Sequence, residues 1–221
     1  MKKSLNSPFF APVFVVLGTV FIFIAGQTFF KPYFRYEHYG VFPFEQLSDV
    51  FWVVLLCLIV FFRKSFLSKQ DFGCTLFLST MLFLRELGAH HWLPSKDTTA
   101  IKIRFFTNPE NPLHEKIISG AVILLAVAAA IYLLKKYIVR LFQEFFKFKT
   151  FSWTMATFGG WGIFCKIVDR FPSLYSKKTG VSFPPDIHEM FSLVEESSEM
   201  FLPVLAILAL YQFRLLMEEK A

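Results

Sequence analysis

The chain has 221 residues, of which 55% are hydrophobic and 19% aromatic, and its formal net charge is +6. A soluble domain of this length arranges its apolar residues in periodic stripes. Here they form unbroken blocks, which excludes an ordinary soluble domain and indicates an integral membrane protein. The basic residues lie mainly between these blocks, where they set topology and contact anionic lipid headgroups, so no nucleic acid partner is expected.

Six stretches of the chain approach the length of about 20 mostly apolar residues that a transmembrane helix needs. The first follows MKKSLNSPFF and is longer than the apolar part of a signal peptide, so we expect it to remain as an uncleaved span. The second, third and fifth are short or carry charged residues. The sequence therefore predicts one all-α domain, a polytopic transmembrane helical bundle with spans at about 9–30, 47–62, 72–88, 117–138, 153–169 and 190–213.

The distribution of Lys and Arg predicts which ends of the spans face the cytoplasm. With the N-terminus inside, the four inner segments hold 12 basic residues in 43 positions, and the three outer segments hold 9 in 65. This excess on the inner side follows the positive-inside rule. We therefore expect an N-in/C-in, multi-pass protein of a cell membrane. The bacterial inner membrane is the expected location, which the absence of N-glycosylation motifs permits.

The inner segment KKYIVRLFQEFFKFKTF (135–151) mixes cations with Phe rings. One interpretation is an interfacial helix over about 135–150, whose rings enter the acyl boundary and whose cations contact phosphates. The other is a cytoplasmic extension of the fourth span, with lysine stems lying along the apolar surface. The two remain equally open. In the first, the basic residues of 135–149 bind anionic lipid headgroups.

Charged residues inside or beside the spans gather toward the outer side in this topology, whereas the inner half of the bundle is apolar. On the sixth span, helical spacing places five polar residues within an arc of about 100°. They are His188, Ser192, Glu195, Glu196 and Glu199. A charge at mid-bilayer costs at least about 2.5–3.5 kcal/mol, so such groups face the bundle interior and pair. The sequence predicts an outward-facing polar pocket between the second, third, fifth and sixth spans. Its predicted lining residues are Asp49, Arg85, Glu86, His90, Lys166, Asp169, His188, Ser192, Glu195, Glu196 and Glu199.

Proline positions shape the sixth span. The Pro-Pro pair at 184–185 and the capping-box spacing of Asp186 and Glu189 predict that its helix starts near residue 187. Pro203 lacks an amide and frees the carbonyl of residue 199, which predicts a loosened backbone beside Glu199.

Two further patterns concern packing. Gly159 and Gly162 lie on the charged face of the fifth span, which predicts the close approach of a neighbouring helix. The outer loop 90–116 is long for a bundle connection. The alternation of apolar and basic residues over 101–105 predicts a short strand or an interfacial segment that covers the pocket, unless the loop only connects two spans.

A divalent metal is an alternative explanation for the carboxylates. Carboxylates and imidazoles one helical turn apart can bind one ion from one helix face. The candidate ligands with this spacing are Glu86, His90, Glu195 and Glu199. Pairing of the carboxylates with basic residues is the competing explanation. The six acids of the region outnumber its three bases, so pairing alone leaves three carboxylates without a base.

Three functions remain open. The first is binding or sensing of a lipid headgroup, a cation or a partner protein, and it requires the fewest specific residues. The protein could do this as a monomer, as a homo-oligomer or in a complex with a membrane partner. The second is a membrane enzyme acting on lipids, with Glu86 or Glu199 as general base and Arg85 or Lys166 holding an anionic headgroup. The third is a small proton-coupled transporter, against which the apolar inner half counts.

Overall fold

The computed structural model of the chain describes residues 7–29, 42–89 and 99–218, and every regular element in these ranges is helical. The all-α prediction is confirmed for these residues. A single 3-10 turn at Arg63–Ser65 follows the second helix. The α-helices are α1 (Phe10–Phe29), α2 (Phe42–Phe61), α3 (Lys69–Glu86), α4 (Ile103–Thr107), α5 (Leu113–Phe146), α6 (Thr150–Thr179), α7 (Pro185–Glu199) and α8 (Phe201–Glu218).

Two stretches of helix in the described residues are long and apolar enough to cross a membrane. They are α5 and the nearly continuous α7–α8 pair (Pro185–Glu218), each of 34 residues. Shorter apolar helices occur at Phe10–Ala25 and Gln46–Phe61. Only 6% of the most apolar 18-residue window of α5 is buried. A core helix of a soluble protein buries its apolar surface, so the exposure of α5 supports a membrane protein, while the count of six spans stays a prediction.

The chain divides into two compact units, which are described separately. The first unit comprises Met1–Phe51 and Leu141–Ala221, and the second comprises Trp52–Arg140. In the first unit, α6 packs against α7 and α8, and α1 packs against α6 and α7. Its buried core is formed by Ala11, Val15, Met200, Phe201 and Leu205.

Glycine allows an unusually close helix approach at Gly18, which was not predicted, whereas the predicted Gly162 lies at an ordinary contact distance from its neighbour. Gly162 faces Leu202 on α8, whose Cδ2 atom would lie 3.8 Å from an added Cβ. Among the described residues, no atom beyond the local backbone of α6 lies within 4 Å of a Cβ added at Gly159, so the predicted close approach is not formed there. At Gly18 on α1, an added Cβ would lie 2.5 Å from Cζ of Phe201. This residue therefore admits the buried Phe201 ring against α1.

The segment after residue 135 does not form a helix of its own, because α5 continues without interruption to Phe146. No glycine or proline lies in residues 135–146 to break the helix. The helix ends where Phe148 adopts a left-handed conformation with φ 54°, and α6 then begins at Thr150. Of the two interpretations of this segment, the separate interfacial helix is wrong. The backbone instead continues the helix of the fourth predicted span.

Of the alternatives for residues 101–105, the short strand is wrong, since Ile103–Thr107 is a short helix. The side chain of Phe105 in this helix is fully buried. The backbone oxygen of Phe105 accepts a 2.9 Å hydrogen bond from Nδ2 of Asn111. These contacts hold in place the segment that precedes α5 in the second unit.

Candidate functional site: an ionic centre on α6 and α7

Lys166, Asp169 and Glu199 form an ionic centre, called the Lys166 centre below, at the junction of α6 and the end of α7. The Lys166 ammonium lies 3.0 Å from Oδ2 of Asp169 and 3.2 Å from Oε1 of Glu199. Asp169 also faces Arg170, whose Nε atom lies 3.9 Å from the same Oδ2. One ammonium is therefore held by carboxylates from two different helices.

Burial in the Lys166 centre increases toward Glu199. The exposed fraction is 44% for the Lys166 side chain and 34% for Asp169, but only 11% for Glu199. A carboxylate with so little access to water needs a positive partner or a proton, because an uncompensated buried charge is costly. Lys166 supplies that partner while its own side chain remains partly exposed.

The backbone break beside Glu199 has the predicted position. Helix α7 ends at Glu199 and α8 begins at Phe201, with Pro203 in the first turn of α8. Pro203 cannot donate a hydrogen bond to the carbonyl of Glu199, so the regular helical ladder fails there. The indole Nε1 of Trp161 on α6 donates a 2.9 Å hydrogen bond to the carbonyl oxygen of Ser198. Helix α6 thus contacts both the ionic groups and the break.

The start of α7 is two residues earlier than predicted. The helix begins at Pro185 with Pro184 as its N-cap, and no side chain caps it. The predicted capping box of Asp186 and Glu189 is therefore not formed. Proline at the first position of a helix is sufficient here, because its fixed φ suits the helix and its missing amide is not needed.

The remaining residues predicted on the sixth span differ in exposure. Ser192, Glu195 and Glu196 are partly buried, whereas His188 is exposed. Glu195 and Glu199 both lie close enough to the buried Cys165 thiol to act on it electrostatically. The exposed His188 is not enclosed with the Lys166 centre.

Four predicted pocket residues come from elsewhere in the chain. Asp49 lies on α2 in the first unit, and its buried Oδ1 atom has no hydrogen-bond partner in residues 7–29, 42–89 and 99–218. Arg85 and Glu86 belong to the second unit, and His90 lies outside the described residues. The place of these four in one pocket stays a prediction.

The metal site proposed for Glu86, His90, Glu195 and Glu199 stays a prediction. Within the part of the chain that the structure describes, no group of three or more His, Cys, Asp or Glu side chains could hold a metal ion. Glu86 lies in the second unit, Glu195 and Glu199 in the first, and His90 outside the described residues. Within the first unit, the geometry of Glu199 is explained by its ion pair with Lys166.

A second ionic cluster, which the sequence did not predict, joins α3 to α5 in the second unit. Both carboxylate oxygens of Asp71 lie 2.8 Å from the Lys136 ammonium. The hydroxyl of Tyr132 donates to Oδ1 of Asp71 at 3.0 Å, and that of Tyr137 donates to Oδ2 at 2.8 Å. The Asp71 side chain is 2% exposed. With Asp71, Tyr132, Lys136 and Tyr137 as its members, this Asp71 cluster satisfies a buried carboxylate with three donors.

The Asp71 cluster lies away from the outward-facing pocket that the sequence predicted. In the predicted topology, residue 71 and the segment from 135 onward both belong to inner segments. The sequence Ser68-x-x-Asp71 signals a helix start, and the backbone amide of Asp71 donates a 3.1 Å hydrogen bond to Oγ of Ser68. No local pattern pairs Asp71 with Lys136, which is 65 residues away.

Hydrogen bonding decides the charge state of Asp71, which lies just before the third predicted span. Burial alone raises the pKa of this carboxyl group. Hydrogen bonds from Lys136, Tyr137, Tyr132 and Ser68 oppose that effect and together hold the pKa of Asp71 below its usual value. Asp71 is therefore a carboxylate at neutral pH, and its cluster is an ion pair reinforced by two phenols.

No protein-family model, no curated protein and no solved structure matches this chain. Function is therefore inferred from the chemistry of the two ionic clusters and from the apolar surface of the helices.

Proposed function

We propose that the chain is a polytopic protein of a cell membrane, with six spans and both termini in the cytoplasm, and that its Lys166 centre binds a positively charged group from the outer side. The bacterial inner membrane is the proposed location. The observation that carries the binding proposal is the sharing of one ammonium by carboxylates of α6 and α7.

Helix lengths support the six-span part of the proposal. Helices α1, α2 and α3 have 20, 20 and 18 residues. At 1.5 Å per residue these lengths are about 27–30 Å, close to the hydrocarbon thickness of about 30 Å. Helices α5, α6 and the α7–α8 pair are longer. Each of these six overlaps one predicted span.

The Asp71 cluster supports the alternating direction of the third and fourth spans. Asp71 lies in the first turn of α3, and Lys136 lies in the second half of α5. Their ion pair brings the start of one predicted span to the end of the next. Two helices that cross a bilayer in opposite directions have this arrangement.

The Lys166 centre is suited to cations because its carboxylate oxygens already converge on a positive charge. Such preorganisation lowers the cost of binding a second cation or of exchanging the Lys166 ammonium for one. Asp169 and Lys166 are partly exposed, so a ligand can reach them without unfolding the helices. A free metal cation and the amine headgroup of a lipid share this chemistry.

The test compares the thermal stability of the purified protein in mild detergent with and without added cations. The probes are Na⁺, Ca²⁺ and ethanolamine, followed by phosphatidylethanolamine against phosphatidylcholine to separate a free cation from a lipid amine. A ligand that binds only the folded state raises the melting temperature, and the increase grows with the ratio of ligand concentration to its Kd. We expect at least one cationic probe to stabilise the wild type and to lose its effect in Asp169→Asn and Glu199→Gln.

Glu218→Gln is the matched control, because Glu218 is also an ion-paired glutamate, bonded to Arg214 at the end of α8. It should keep the full cation response. Equal responses of Glu199→Gln, Asp169→Asn and the wild type would refute cation binding at this centre. Turnover of added lipid that depends on Glu199 would instead favour the enzyme alternative.

A further inference from the structure

The turn between α5 and α6 holds a phenylalanine where helices usually place glycine. The amide of Phe148 donates to the carbonyl of Phe145 at 3.0 Å, and the amide of Lys149 donates to that of Glu144 at 3.0 Å. These two bonds form the Schellman motif that ends a helix, with Phe148 at its left-handed position and φ 54°. A side chain is disfavoured there. Such an outlier points to a role for the ring that glycine could not fill.

The Phe148 ring belongs to an aromatic platform formed by Phe9, Phe145, Phe148 and Trp153. Phe145 and Phe148 are stacked on Trp153 with centroid distances of 4.5 Å and 5.6 Å. Phe9 meets Trp153 edge-on at 5.2 Å. The indole Nε1 of Trp153 also donates a 3.0 Å hydrogen bond to the carbonyl of Phe145. The platform is therefore fixed in place from two sides.

The platform is fixed but open to its surroundings. The exposed fraction is 56% for Phe148 and 51% for Phe9. Lys147 and Lys149 flank Phe148 in the sequence, and both are exposed. Aromatic rings flanked by lysines are typical of the membrane–water interface. There the rings lie at the level of the headgroups and the lysines contact phosphates.

We propose that the turn 147–149, with the aromatic platform beneath it, is a docking site for anionic phospholipid headgroups of the inner leaflet. The inference rests on the membrane part of the proposed function but not on cation binding at the Lys166 centre. Anionic lipid is the proposed partner because a bilayer surface is anionic at its headgroups and apolar beneath them. The two lysines complement the headgroups, and the exposed rings complement the apolar layer. The sequence predicted lipid contacts for the basic residues of 135–149 in general. The proposal restricts these contacts to Lys147 and Lys149, since Lys136 is bound to Asp71.

The test titrates short-chain phosphatidylglycerol into the detergent-solubilised protein, with short-chain phosphatidylcholine as the zwitterionic reference, and follows the melting temperature. Each lysine near an anionic surface contributes about 1 kcal/mol, a factor of roughly five. Lys147→Ser/Lys149→Ser should therefore raise the half-saturating concentration of phosphatidylglycerol about 25-fold. Lys177→Ser/Lys178→Ser makes the same charge change in two exposed lysines at the end of α6 and should leave it unchanged.

Phe148→Gly is a second variant that keeps both lysines and cannot fail for reasons of backbone strain. It should remain folded, because the relieved left-handed backbone offsets the lost stacking on Trp153. It should nevertheless bind phosphatidylglycerol more weakly, because the interfacial ring is gone. Equal affinity of the wild type and Lys147→Ser/Lys149→Ser, or equal losses in both double variants, would overturn the proposal. A concentration-dependent dimer that Phe148→Gly abolishes would assign the surface to a second copy and overturn it too.

Flotation of the reconstituted protein with liposomes separates the two proposals. Failure to co-float after reconstitution, or release by alkaline carbonate, would remove the membrane assignment together with the docking site. Stable insertion without a preference for phosphatidylglycerol would overturn the docking site alone.

Discussion

Replacing Asp71 with Asn should detach α3 from α5 at the Asp71 cluster. The carboxylate accepts hydrogen bonds from Lys136, Tyr132 and Tyr137 at 2.8–3.0 Å, and its side chain is 2% exposed. Asn has the same shape but no charge, and its amide nitrogen presents a donor to groups that are themselves donors. At least one donor of the cluster therefore loses its acceptor inside the protein.

The expected magnitude follows from the number and kind of these bonds. A hydrogen bond to a charged group contributes about 1.5–3 kcal/mol net, and removal of one partner of a buried ion pair costs about 3–5 kcal/mol. The Lys136 side chain is 35% exposed, so water replaces part of what it loses. We therefore expect Asp71→Asn to lower the free energy of unfolding by about 3 kcal/mol. For a chain of this size, that corresponds to a decrease of roughly 6–12 °C in melting temperature.

The assay is thermal unfolding in mild detergent, with SDS titration as a second measure of stability. Asp186→Asn is the control, because Asp186 is an exposed aspartate in the first turn of α7 just as Asp71 lies in the first turn of α3. The control should change stability by less than about 0.5 kcal/mol. If Asp71→Asn is as stable as Asp186→Asn, the cluster does not hold the helices and the reasoning fails.

Three further predictions concern stability. The lowered pKa of Asp71 stabilises the fold above the usual aspartate pKa near 4, and this contribution is lost as the pH falls through the folded-state pKa. The difference in melting temperature between the wild type and Asp71→Asn should therefore shrink on acidification below about pH 4, and a constant difference would contradict it. Gly18→Ala should destabilise by about 1–3 kcal/mol through its contact with Phe201, whereas Gly159→Ala, with open space around it, should stabilise by up to about 1 kcal/mol in the same denaturation assay. Phe148→Gly should gain about 1 kcal/mol from the relieved left-handed backbone, less the lost ring contacts with Trp153, and a loss above about 2 kcal/mol would mean that the ring is mainly structural.

Hydropathy located the helices but not their ends. The first predicted span, 9–30, agrees closely with α1 (Phe10–Phe29). The fifth, 153–169, ends ten residues before α6, which continues through Pro172 to Thr179. Apolar composition identifies the part of a helix that lipid can cover, whereas backbone hydrogen bonds continue wherever no residue prevents them. Apolar composition therefore could not predict the charged end of α6.

The two ionic clusters differ in how far the sequence could predict them. Lys166 and Glu199 were predicted together because charges in apolar segments need partners and because helical spacing gave each a face. Asp71 and Lys136 were assigned to polar inner segments, where a charge needs no special explanation. Only tertiary packing shows that Asp71 is buried, and that packing has no local signature in either segment.

Exposure also indicates which cluster is better suited to the proposed binding of a ligand. In the Asp71 cluster the carboxylate is almost fully enclosed and accepts from an ammonium and two phenols, so a ligand would have to displace three donors at once. In the Lys166 centre the ammonium and the Asp169 carboxylate are 44% and 34% exposed. A cation can approach Asp169 there while Lys166 continues to neutralise Glu199. The enclosed cluster is therefore suited to holding two helices together, and the partly open one to reversible binding.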